Sequence, residues 1–300
     1  MKLIKPSFEI REQPSGLEGV YKQIEGAGRV CYKSEDKIAE GTAKAFVDRM
    51  IASGHGAMLE HGTVYLKCET EVINRYIHPE DGEEEYFNKL EKYEYNSYSV
   101  TSDDGIYLYV TTNLRVLVEN DWLDDLQYIC EPTEYHEKRI TVQFTCDRGV
   151  SHEFVRHRVM SFAQESTRYC NYSKDKFSNE LTFIEPCWLE DYNYKDNTYN
   201  QLFIDSLRFA EAHYLDLLKK WDDKIPDKRY KTGFRNNPWT PQQARAVLPN
   251  ALKTELVMTG FVSDWKHFFE LRCSPNAHPQ ARELAIPLQE EFIARGYINN

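Results

Sequence analysis

Cysteine is sparse and unpatterned in this 300-residue chain. Its seven cysteines (Cys31, Cys68, Cys130, Cys146, Cys170, Cys187 and Cys273) are an odd number, and none stands in a Cys-x-x-Cys pair. That pattern offers no cysteine-based zinc site and reads as scattered reduced thiols of a cytoplasmic protein, not as a disulfide framework. Long apolar runs are missing as well. The longest unbroken one is Ile106 to Val110, far short of the ~20 residues of a membrane span, and the opening MKLIKPSFEI is too polar for a signal peptide. An excess of positive charge is also absent. A formal net charge of −11 argues against a nucleic-acid coat or a binder of anionic membranes, both of which need a basic face. A small anionic ligand stays possible, because it needs only a local cluster of cations.

Several catalytic motifs are lacking too. Gly-x-Gly occurs in EGAGRV (25–30) and GHGAML (54–59), but each lacks the third glycine of a dinucleotide-binding turn, and no Walker A loop is present. Any nucleotide has to be held by scattered side chains. In HEFVRH the two histidines, His152 and His157, are five residues apart. A zinc-binding HExxH helix needs four, so this pair diverges and no metal site is expected. Ser166 lacks the Gly-x-Ser-x-Gly surroundings of a hydrolase nucleophile.

Hydrophobic residues make up 41% of the chain, enough for a sizeable core. IAEGTAKAFVDRMIAS (38–53) places Ala39, Ala43, Phe46 and Met50 on one helical face, with Gly54 as a stop. TVYLKCET (63–70), GIYLYVTT (105–112) and RITVQFTC (139–146) read as strands. PEDGEEEYF (79–87) reads as a solvated loop. In DRGVSHEFVRHR, Gly149 suggests a turn and Ser151 an N-cap, with Arg156 to Arg158 near the end of a short helix and a polar loop beyond. Phe203, Leu207, Ala210, Tyr214, Leu217 and Trp221 form the stripe of a helix over 199–221. Residues 225–239 read as loop, and helices resume at 241–248, 263–271 and 279–294. No repeat is found, and helices and strands mix without a βαβ rhythm, so the expected class is α+β, a mixed or antiparallel sheet flanked by helices.

The concentrated chemistry lies in RHRVMSFAQESTRY (156–169), which sets Arg156, His157, Arg158 and Arg168 beside Ser161, Ser166 and Thr167. Guanidinium groups are always protonated and present a planar fork of donors. Two or three of them with hydroxyls make a cradle for phosphate or carboxylate. The competing interpretation is an ion-pair network with the many acidic residues. Further arginines follow in QQARAVLP (Arg245) and FFELRC (Arg272).

Arg-His-Arg, seven residues, then Ser166 and Arg168 resembles the signature of the flavin-dependent thymidylate synthases. GHGAMLEH (54–61), ARAVLP (244–249) and FFELRCSPNAHPQ (268–280) are similar to three further segments of that family, in the family's order. The resemblance implies a single domain over residues 1–300 with the family's fold, and insertions near 79–100, 185–198 and 222–238. It implies reductive methylation of dUMP to dTMP with FAD, NADPH and methylenetetrahydrofolate, in a cytoplasmic homotetramer whose sites lie between subunits, with no nucleic-acid or membrane partner. Its implied catalytic residue is Arg272. The implied substrate-binding residues are Glu153, Arg156, Gln164, Glu165, Ser166, Thr167, Arg168, Arg245 and Arg272, with Ser166 as a hydrogen-bond donor. The implied flavin-binding residues are His55, Ala57, Glu60, Arg156, His157, Arg158, Gln164, His267 and His278. The chain departs from the family at His152-Glu153, at Ala163-Gln164, and at Phe261–Ser263, which replaces an Asn-x-Arg. The alternative is a catalytically silent relative that binds nucleotide or flavin as a sensor or scaffold.

Overall fold

The computed structural model describes residues 1–71, 73–77, 84–189, 198–219 and 238–299. The chain begins with β1 (Lys2–Ile4), β2 (Ser7–Arg11), α1 (Gly16–Tyr32), α2 (Thr42–Ala52) and α3 (Gly56–Leu59). There follow β3 (Thr63–Glu69), β4 (Ile73–Ile77), β5 (Glu84–Asn88), β6 (Val100–Asp103), β7 (Tyr107–Asn113) and α4 (Leu114–Glu119). The second half carries β8 (Arg139–Asp147), α5 (Arg148–Phe154), β9 (Ser161–Gln164), β10 (Thr182–Ile184) and α6 (Thr198–Leu218). It ends with α7 (Pro241–Ala244), β11 (Lys253–Phe261), α8 (Val262–Arg272) and α9 (Pro279–Ala294).

The central sheet is antiparallel with strand order β2-β8-β11-β9, and a second antiparallel sheet runs β3-β7-β6. β4 pairs antiparallel with β5, and β1 pairs parallel with β10. This is the α+β class expected from the sequence. The strand period of two explains the central layer. Phe8, Phe144 and Leu256 stand in register, as do Ile10, Val142 and Met258. This apolar face buries against Trp265, Phe268 and Phe269 of α8 and Leu284, Leu288 and Phe292 of α9. The opposite face carries the row Arg11, Thr141, Thr259 and Ser161 and is covered by α1 and α3. A separate apolar cluster joins α1, α2, β3, β7 and α4.

The glycines of EGAGRV lie inside α1, where they serve packing. A Cβ on Gly28 would sit 2.5 Å from the Phe46 ring of α2, so only glycine permits that approach. Gly54 takes φ +70° just after α2, the helix stop expected of it.

The structure changes several expected boundaries. Asp147, not Ser151, caps α5: its carboxylate accepts from Val150 N at 2.8 Å, and the Ser151 hydroxyl donates back to the Arg148 carbonyl instead. Gly149 therefore lies in the first turn of α5, and Arg156 to Arg158 lie beyond its end. The polar stretch after them is not all loop, because Ser161–Gln164 adds to the edge of β11 as β9. Within the supposed loop 79–87, residues 84–87 belong to β5, while 79–83 lie outside the described residues. The helix expected over 241–248 is a single α-turn followed by a 3-10 turn at Arg245–Val247. Tyr214 and Leu207 of α6 are buried as the stripe requires, but Trp221 is not among the described residues. The same holds for 225–237 of the expected loop and for 79–83, 190–197 and 222–237 of the expected insertions.

Candidate active site

The signature residues fall into groups anchored on different elements. The first is built where α5 ends against α8. Phe154 is fully buried with its ring edge-on to Phe144 and Phe268, at 5.0 Å from each. Burying such a ring is worth about 1.5–3 kcal/mol, which seats α5 firmly on the sheet and on α8. Arg272 lies one turn beyond Phe268 on α8, so its side chain emerges beside the end of α5. There it donates from Nη1 to Glu153 Oε2 at 2.8 Å, from Nη2 to the Glu153 carbonyl at 2.6 Å, and from Nε to His157 Nε2 at 3.1 Å. An arginine nitrogen can only donate, so His157 accepts at Nε2 and carries its proton on Nδ1. His157 is buried against Phe268, 5.0 Å between ring centres. Burial, the Arg272 charge and His267 push its pKa down to about 4. The His267 ring stands 6.0 Å away. An open cleft beside this group is lined by Arg272, Glu153, Ser274, Asn276 and His278.

The second group follows β9. Glu165 N donates to the Glu255 carbonyl at 2.8 Å and Ser166 N to the Cys31 carbonyl at 2.9 Å, which ties the turn to β11 and to the end of α1. Arg168 N donates to the Ser166 hydroxyl at 3.3 Å, and Arg245 Nη1 to the Thr167 hydroxyl at 3.3 Å. Arg168 and Arg245 are exposed and have no carboxylate partner among the described residues. The Glu165 carboxylate points the other way. It is buried, accepting from Lys253 Nζ and from the Tyr172 hydroxyl, each at 2.9 Å. Burial opposes the Lys253 charge, but Glu165 and Glu255 outweigh it and raise its pKa.

The third group is α3. His55 precedes it, Ala57 is exposed within it, and the carboxylate of Glu60 pairs with Arg115. Among the described residues no hydrogen bond or ion pair joins this group to either of the others. Gln164 links elements instead, donating to the Ser151 hydroxyl at 2.8 Å and the Thr254 hydroxyl at 3.2 Å. Arg156 and Arg158 are exposed just past α5, again without a carboxylate partner among the described residues. His278 sits at the start of α9, its ring 6.0 Å from Trp188. At Phe261–Ser263 the ring of Phe261 lies under Arg139 and Ser263 N donates to Glu137 at 2.9 Å.

Several neighbours carried no sequence signal. Tyr32 and Tyr169 face each other at 5.3 Å beside Arg168. Lys33 and Lys253 enclose Glu255. Only Tyr169, the last residue of the quoted stretch, could have been noticed. The cysteines near the site are not primed nucleophiles: burial pushes the Cys31 thiol up to about 11 and the Cys170 thiol up to about 12, so neither is ionised near neutrality.

The family model described as thymidylate synthase complementing protein matches residues 132–295. The chain belongs to this family. A flavin-dependent thymidylate synthase of Mycolicibacterium gilvum (strain PYR-GCK) is 34% identical over 147 residues, covering 49% of this chain and 54% of the relative. Enzymes of the same description from Mycolicibacterium vanbaalenii and from Mycobacterium tuberculosis (strain ATCC 25618 / H37Rv) are each 32% identical, again over 49% of this chain and 54% of the relative. The chain thus spans about half the length of the curated relatives it matches. A crystal structure of a UMP/dUMP methylase PolB from Streptomyces cacaoi bound with 5-Br dUMP aligns over 98% of this chain and 93% of that one, with a TM-score of 0.42 and 16% identity. Among the described residues, no helix of this family member is long and apolar enough to cross a membrane.

Proposed function

We propose that the chain methylates dUMP reductively to dTMP, with methylenetetrahydrofolate as carbon donor and FAD, reduced by NADPH, as hydride source. It would work as a single catalytic domain in a cytoplasmic homotetramer whose sites lie between subunits. The observation that carries this function is the presence of two kinds of guanidinium in a chain of this family. Among the described residues the exposed guanidiniums of Arg168 and Arg245 have no carboxylate partner, Arg245 lying against the Thr167 hydroxyl, and Arg272 is held by neighbours in a cleft.

A phosphate dianion is best met by cations that have no other partner. Arg168 and Arg245, without a carboxylate partner among the described residues, meet that requirement for the nucleotide phosphate, with the Ser166 hydroxyl as a neutral donor and Arg156 and the Gln164–Thr167 turn completing the grip. The donor set also fits a flavin dinucleotide. Arg156 and Arg158, which have no carboxylate partner among the described residues, supply charge for a diphosphate, and His55, Ala57, Glu60, His267 and His278 supply further contacts. Phe261 and Ser263 are already engaged with Arg139 and Glu137, so the adenine end has to be gripped elsewhere. When bound, the reduced flavin supplies the hydride. The role of Arg272 is electrostatic: too basic to remove a proton, it stabilises negative charge at N3 or its neighbouring carbonyls, which makes C5 of the pyrimidine more nucleophilic.

The test is dTMP formation with all four ligands and with each one left out. The purified protein is expected to be yellow, or to become so with FAD, and to bleach anaerobically with NADPH faster when dUMP is present. Protein that never takes up FAD eliminates the proposal. Protein that binds FAD and dUMP but forms no dTMP is instead the silent relative.

A further inference from the structure

We infer that Glu153 is a positioning residue that, with His157, holds the Arg272 guanidinium in one orientation for the reacting ring. The inference rests on the methyl-transfer function proposed above. Arginine has five N–H donors, and three of them are engaged by the end of α5: one on Nη1 by Glu153 Oε2, one on Nη2 by the Glu153 carbonyl, and Nε by His157. Two N–H groups remain, one on each terminal nitrogen, on a side chain that lines the open cleft. A guanidinium fixed at three points cannot turn without breaking all three bonds, so those two donors are set before any ligand arrives.

The hold is not needed to dock α5 on α8. Phe154 and Phe268 already do that from the buried side, whereas the Glu153 side chain is 35% exposed and the Arg272 side chain 16% exposed. An ion pair this close to solvent adds little to stability, and its more evident consequence is orientation. The Glu153 charge also offsets that of Arg272. The pair therefore presents donors without an uncompensated cation, which suits a neutral carbonyl-bearing ring better than a phosphate. His157 is suited to its part because it is neutral and buried, with Nε2 available only as an acceptor.

Two variants, Glu153→Ala and Glu153→Gln, test this, because glutamine keeps an acceptor for Nη1 and alanine does not. In dTMP formation, kcat of Glu153→Ala is expected to fall by about 100-fold, the scale of a misplaced catalytic group. KM for dUMP should stay within about threefold, the split that marks a transition-state effect. Glu153→Gln should recover about tenfold of that loss. Nitrogen-15 spectra of the ligand-free protein give a readout apart from turnover. An Arg272 Nη1–H, the group bonded to the Glu153 carboxylate, should exchange slowly in the wild type and fast in Glu153→Ala, and His157 should be the neutral Nδ1–H form.

A loss confined to KM makes Glu153 a direct substrate contact and overturns the inference. Equal losses in both variants, or unchanged Nη1–H exchange in Glu153→Ala, overturn it as well. If Glu153→Ala does not fold, a freely exchanging Arg272 Nη1–H in the wild type, or a Glu153→Gln whose loss is confined to KM, decides against it. If the wild type forms no dTMP, the proposed function fails, while the exchange measurement still decides whether Glu153 holds Arg272.

Discussion

Arg272 and Arg245 are both arginines at or just beyond a helix end near the signature stretch, yet their surroundings differ. Arg272 is clasped by a carboxylate, a carbonyl and an imidazole from α5. Arg245 donates to the Thr167 hydroxyl and is exposed, with no carboxylate partner among the described residues. Clasping fixes direction and dilutes charge; leaving a guanidinium open keeps its charge and lets it move. The first arrangement suits a ring whose charge appears only in the transition state, and the second suits a group that is charged throughout, such as a phosphate.

The strongest way to break this contrast is Arg272→Ala. Turnover is expected to fall by about 1,000-fold, with circular dichroism and melting temperature little changed, because the aromatic core beneath it is intact. Arg272→Lys should not restore turnover, since an ammonium cannot offer parallel donors. Turnover near wild-type in either variant removes Arg272 from the chemistry. A smaller and different effect is expected from Arg245→Ala or Arg168→Ala. KM for dUMP should rise by about 10- to 100-fold, the worth of a hydrogen bond to a charged group, with kcat less affected. Raising the salt concentration should weaken nucleotide binding in the wild type more than in these variants. If the losses appear in kcat instead, the assignment of phosphate and ring to the two neighbourhoods is reversed.

The smallest effect concerns acid stability. His157 is held near 4 by burial, Arg272 and His267, and fully buried His61 is pushed down to about 3 by burial and by Arg139. Both lie below the ordinary histidine value of about 6.5. Between those values the unfolded chain binds more protons than the folded one, so stability is full above about pH 6.5 and is lost as pH falls toward 4 and below. Melting temperature measured from pH 7 to 4 should decline over that window. The decline should be shallower in Arg272→Ala, where His157 loses a repelling charge. An unchanged slope in that variant argues that His157 and Arg272 do not face each other in solution.

Much of the architecture was legible locally. The alternation in RITVQFTC marked β8, and the stripe through Leu207 and Tyr214 marked α6, because period and burial coincide there. The resemblance carried by four short segments pointed to the family that the match over 132–295 establishes. Other elements were not legible. The central strand β11 and helix α1 went unpredicted. In KTELVMTGF and GLEGVYKQIEGAGRVCY, glycines and polar residues interrupt the period, and it is the neighbouring strands and α2 that justify them. The cap of α5 was misplaced because Ser151 has a capping side chain and a plausible position, and only the fold shows Asp147 reaching Val150 N.

By itself the sequence determined the chemical inventory: an acidic chain with a local concentration of arginines and hydroxyls, no patterned cysteines, and the residue types of one enzyme family. Tertiary structure alone decided which arginine meets a carboxylate and which, among the described residues, does not. Arg272 lies 119 residues beyond Glu153, and whether a guanidinium finds a carboxylate at that separation depends on how α8 and α5 cross over a shared aromatic core. Nothing in the order of residues along the backbone encodes that contact locally, because it arises from two helices that meet by packing against the same face of the sheet.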